Sequence, residues 1–71
     1  MRKDPLKQLG RRLAALRKER DWSQERLALE SGMARSYLGG VERGQRNIAL
    51  LNLCKLADTL GVKVSVLVDF D

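Results

Sequence analysis

Residues 32–44 read GMARSYLGGVERG. The pattern predicts a helix from about Ala34 to Arg43, preceded by a glycine turn and stopped at Gly44, yet Gly39 and Gly40 stand side by side in its middle. Each glycine in a helix interior costs roughly 1 kcal/mol relative to alanine. On a helical wheel, Ala34, Leu38 and Val41 converge on one side, which is the expected core face. The opposite side holds Ser36, Gly39, Gly40 and Arg43, flanked by Arg35 and Tyr37. The glycine pair is therefore expected to face outward, among arginines and hydroxyls.

The segment upstream gives this helix a partner. Ser23 is a suitable N-cap, Glu25 favours a helix N-terminus, and the short helix they open points Leu27 and Ala28 inward before stopping near Ser31-Gly32. Two short helices joined by a tight glycine turn form a helix-turn-helix, whose second helix can enter the major groove of DNA. That groove is about 12 Å wide, so bulk on the leading face limits insertion. Gly39 and Gly40 would then give up helix stability for close approach of backbone to base edges. A helix–helix contact is the other use of paired small residues, but it calls for apolar neighbours, whereas these are Ser36 and Arg43.

Further out, Leu6, Leu9, Leu13 and Leu16 mark one stripe of a first helix, with Pro5 in its first turn and Asp4 as N-cap. A fourth helix is predicted from about Ala49 to Leu60, with Leu50, Leu53, Ala57 and Leu60 as its stripe and Leu56 beside it, ending at Gly61. The tail, GVKVSVLVDFD, alternates Val62, Val64, Val66, Val68 and Phe70 with polar residues, a strand pattern that Leu67 interrupts. A lone strand cannot satisfy its own backbone, so a strand here must pair with another chain. The other possibility is a one-turn helix near Ser65.

Bulk properties narrow the function classes. Seventy-one residues make one expected domain, residues 1–71, near the lower limit for a self-sufficient core. The chain has no histidine, so a histidine general base is absent and a zinc centre is disfavoured. Its single cysteine, Cys54, precludes an internal disulfide. No catalytic residue, metal or cofactor is expected, and an enzyme is disfavoured. No stretch is apolar and long enough for a signal peptide or membrane span, so a cytoplasmic location is expected. The net charge is +5, with eight Lys or Arg against two acids in residues 1–20. Such a basic end suggests a polyanionic partner, nucleic acid first.

The stretch SQERLALESGMARSYLGGVERG, residues 23–44, with LRKERDW before it and RNIALLNLCKLADTLGV after it, resembles the Cro/C1-type helix-turn-helix regulators over residues 6–68. The ending is also similar to the controller proteins of restriction–modification systems. The resemblance implies an all-α fold, a compact bundle of four or five helices like the lambda repressor DNA-binding domain. It implies a homodimer on double-stranded DNA at a (pseudo)palindromic operator.

By the same resemblance Arg35, Ser36, Gly39 and Gly40 match base-contacting positions. Gln24, Tyr37, Arg43, Gln45, Arg46 and Asn47 match positions at the DNA backbone, and Arg17 with Glu42 matches a structural salt bridge. Ala34 and Ala49 depart from the pattern, since relatives often have a capping Ser or Thr there, and a lost cap costs about 1 kcal/mol. Leu51 lies off its helix stripe and the tail is rich in valine, so Leu51, Val64, Val66 and Phe70 are the expected dimer surface. The alternative function is an antitoxin-like module that binds a protein partner as well as its own operator.

Overall fold

The computed structural model describes residues 4–70. It contains five helices: α1 (Pro5–Glu19), α2 (Gln24–Ser31), α3 (Arg35–Glu42), α4 (Leu50–Leu60) and α5 (Val64–Leu67). No strand occurs among the described residues. Leu13, Leu27, Leu38, Leu56, Leu60, Leu67 and Val41 are the largest fully buried side chains, drawn from all five helices.

Local chemistry sets the boundaries. Asp4 caps α1, its carboxylate accepting from the backbone N–H of Leu6 at 3.0 Å and of Lys7 at 3.3 Å. Ser23 caps α2 through the N–H of Arg26. Gly32 then turns the chain in the left-handed region (φ 72°), and the N–H of Met33 bonds back to Ala28. Gly44 does the same after α3 (φ 73°), with the N–H of Gln45 donating to Gly40. The αL conformation at both positions costs glycine no Cβ clash. Neither α3 nor α4 has a side-chain N-cap, in keeping with Ala34 and Ala49 at those positions.

Two placements differ from the sequence reading. Ala34 is exposed because it is the N-cap of α3 with extended backbone, so the helical wheel does not apply to it. Leu50 is 68% exposed, whereas Leu56 is fully buried. Leu50 is the first residue of α4, and the stripe that enters the core begins one turn later, at Leu53.

The tail is a helix packed on its own chain. Leu67 is fully buried, while Val62, Val64, Val66 and Phe70 pack half-buried against the same core. Arg12 on α1 holds the tail by donating from Nε to the Val66 carbonyl at 2.9 Å. An intersubunit strand is therefore unnecessary, because the segment bonds internally and to α1. Of the expected dimer residues, Val64, Val66 and Phe70 are largely absorbed by this packing. Leu51 remains 76% exposed.

Candidate nucleic-acid interface

The N-terminus of α2 and the outer face of α3 meet on one side of the molecule, and a buried ion pair sets their relation. Arg17 donates from Nε to Glu42 Oε2 at 2.8 Å and from Nη2 to Glu42 Oε1 at 2.9 Å. Its Nη1 donates to the Trp22 carbonyl at 2.7 Å. Gln24 joins the group, donating from Nε2 to Glu42 Oε1 at 2.9 Å. The end of α1, the start of α2 and the end of α3 thus share one carboxylate. Its hydrogen bonds, and secondarily its charge, raise the Arg17 pKa further above the ordinary arginine value against the opposing effect of burial.

The outer face is built around the glycine pair. Gly39 and Gly40 lie on the expected side of α3, but both are buried rather than bare. A methyl group placed on Gly39 would lie 3.1 Å from Arg43 Nη1 and 3.5 Å from Gln24 Oε1. One placed on Gly40 would lie 2.7 Å from Arg46 Cγ. The wheel put the pair opposite the core stripe, but the expected outward exposure is not found, because the side chains of Gln24, Arg43 and Arg46 cover it. In this state the backbone of Gly39 and Gly40 is therefore not free for direct approach to bases.

The covering side chains form one constellation. Arg43 donates from Nε to Gln45 Oε1 at 3.0 Å. The Arg46 guanidinium lies 6.0 Å from the centre of the Tyr37 ring, within cation–π range. The Tyr37 hydroxyl accepts from Asn52 Nδ2 at 3.3 Å. Gln24, Tyr37, Arg43, Gln45 and Arg46 are brought together in this way, as a strip of donors suited to phosphate oxygens. Asn47 is exposed on the loop that follows.

Arg35 and Ser36 are exposed at the start of α3. Arg35 Nε lies 3.7 Å from Glu25 Oε1, a contact the sequence reading did not find because it treated Glu25 only as a helix-end charge. Asn52, the partner of Tyr37, was also missed; it belongs to α4 and shares no periodic signal with α3.

The basic N-terminal segment contributes less to this face than its charge suggests. Arg12 holds the tail, Arg17 pairs with Glu42, and Arg20 donates to the carbonyls of Leu16 and Leu60. Among the described residues no group of acids and Cys could hold a metal ion, and no helix is long and apolar enough to cross a membrane.

Comparison with known proteins agrees with this architecture. The helix-turn-helix family profile matches residues 13–67. The restriction–modification controller protein C.AhdI from Aeromonas hydrophila superposes with a TM-score of 0.85 at 52% identity, covering 87% of this chain and 94% of that one. SinR, an HTH-type transcriptional regulator of Bacillus subtilis, is 39% identical over 62 residues, 86% of this chain and 56% of SinR. The structure of SinR in complex with DNA matches with a TM-score of 0.80 at 37% identity, over 83% of this chain and 95% of that one. The immunity repressor of Bacillus phage phi105 is 42% identical over 60 residues, where this chain spans 84% of its own length and 42% of the repressor's. The profile and these relatives together place the chain in the Cro/C1-type helix-turn-helix family of DNA-binding transcriptional regulators, and not in an enzyme family.

Proposed function

We propose that the chain is a sequence-specific regulator that binds double-stranded DNA as a homodimer on a (pseudo)palindromic operator, with α3 in the major groove. The observation that carries this reading is the face on which the exposed Arg35 and Ser36, with Glu25 3.7 Å from Arg35, stand beside the strip of Gln24, Tyr37, Arg43, Gln45 and Arg46. Arg35 is the reader, since a bidentate arginine on guanine is the commonest specific base contact. Ser36 adds a shorter contact at the same level. The strip, with Asn47, takes the phosphates and sets the register of α3.

Dimerisation is supported by Leu50 and Leu51, adjacent at the start of α4 and 68% and 76% exposed, with Val68 at 39%. A two-fold dimer on such an operator requires its two α3 helices about one DNA turn apart, roughly 34 Å. The likeness to C.AhdI supports a regulator of the restriction–modification controller kind.

Selection from random duplex DNA at near-physiological salt tests the reading. A palindromic site is expected, and Arg35→Ala should flatten the preference at one position in each half-site. Recovery of no site, together with capture of a stoichiometric protein partner, would instead favour the protein-binding alternative.

A further inference from the structure

Neither the backbone nor helix packing requires glycine at positions 39 and 40. Both have ordinary helical conformation; the glycines with positive φ are Gly32, Gly44 and Gly61. The glycine that lets helices touch is Gly10, where an added methyl would lie 2.3 Å from the Glu42 carbonyl oxygen. Around Gly39 and Gly40 the nearest atoms all belong to side chains: Arg43 and Gln24 at the first, Arg46 at the second. The space left by the missing Cβ atoms is filled by the side chains of the face itself.

We propose that Gly39 and Gly40 are positioning residues whose bare backbone seats the Arg43 and Arg46 side chains flat across α3, so that their guanidinium groups are presented to DNA phosphates; this rests on the DNA-binding reading above. Gly40 is the sharper case. Its contact is with Arg46 Cγ, near the root of the side chain, with Nε at 3.6 Å and Cδ at 3.7 Å. A methyl at 2.7 Å cannot be met by moving only the far end of the arginine, so the stem itself must shift. The guanidinium then loses its place over Tyr37, and Tyr37 loses a cover on the ring whose hydroxyl Asn52 holds. At Gly39 the nearest atom is Arg43 Nη1 itself, so a methyl there pushes directly on the charged group. A long arginine costs rotamer freedom to immobilise, and a seat formed before binding reduces that cost.

A double-mutant cycle on Gly40→Ala and Arg46→Ala tests this, read by affinity for a random-sequence duplex over a salt series and by thermal unfolding. Each single variant is expected to weaken binding about tenfold and to lower the salt slope by about one phosphate contact. The double variant should bind no more weakly than Arg46→Ala alone. In the Arg46→Ala background the added methyl no longer meets the Arg46 stem and should raise Tm, because alanine is the better helix former. The proposal is overturned if Gly40→Ala leaves affinity and slope unchanged, or if it costs as much without Arg46 as with it. The second result would mean that the glycine backbone meets DNA directly. Absence of salt-dependent duplex binding by the unaltered protein would remove the DNA-binding reading itself, a separate failure from either.

Discussion

Arg17 and Glu42 meet edge to edge, two parallel hydrogen bonds of 2.8 and 2.9 Å, with side chains only 11% and 5% exposed. The pair ties α1 to the end of α3, and through Gln24 it also fixes the start of α2. Breaking such a pair on one side leaves a buried charge without its partner, which costs on the order of 3–5 kcal/mol. Glu42→Gln should therefore lower stability by about 3 kcal/mol in urea unfolding. A loss below about 1 kcal/mol would show that the site is wetter than its burial indicates.

The pH dependence of the same pair follows from the direction of its shift. The folded-state pKa of Arg17 is raised, so the contribution is complete below the ordinary arginine value and is lost only as pH rises through the folded value. This group should leave stability flat through neutral and moderately alkaline pH. Arg17→Lys keeps the charge but has one ammonium in place of the planar fork, and its ordinary pKa is about 10.4. The variant should be less stable at pH 7, and its remaining contribution should fade above about pH 10.4 as the lysine deprotonates. Unfolding midpoints across an alkaline series would show the divergence; parallel curves would contradict it.

Glu25 places a negative charge 3.7 Å from the proposed base reader, on the face proposed to meet phosphates. Both side chains are exposed, 62% for Arg35 and 78% for Glu25, so the pair adds little to folding. Its effect should appear in DNA binding. Glu25→Gln is expected to raise affinity for random duplex a fewfold, through lost repulsion, while narrowing the margin for the selected operator. An equal gain on both DNAs would show that Glu25 acts only as a charge and does not orient Arg35.

Leu50 and Leu51 are exposed in the single chain, so replacing them should change monomer stability by less than about 0.5 kcal/mol each. If the proposed dimer forms through this patch, Leu51→Glu should shift its dissociation constant by at least tenfold in sedimentation equilibrium, and weaken operator binding in proportion. An unchanged mass distribution would remove this patch as the proposed dimer surface.

Leu67 is fully buried and belongs to the one-turn helix α5. Leu67→Ala should cost about 2–5 kcal/mol, as for other large-to-small core changes. Were the tail an exchanged strand, the loss would instead track protein concentration, so unfolding at two concentrations separates the cases.

Helix ends and the motif were legible in the residues, because capping and αL turns are local. Asp4, Ser23, Gly32 and Gly44 act on atoms within five residues of themselves, and a short window contains all the information they need. The leucine stripes were legible for the same reason, except at helix edges. There a wheel assigns a face to Ala34, which lies outside the helix, and to Leu50, which opens one. The side on which Gly39 and Gly40 lie also followed from periodicity. Tertiary structure alone decided what covers them, since periodicity reports where a Cβ would point and not which side chain crosses that space. The Arg17–Glu42 pair was expected from the family resemblance, but tertiary structure decided that Arg12 and Arg20 serve the fold, that Glu25 reaches Arg35, and that the valine-rich tail closes on its own core. Each of these depends on packing between segments distant in sequence or on side-chain direction, neither of which is contained in any single stretch of the chain.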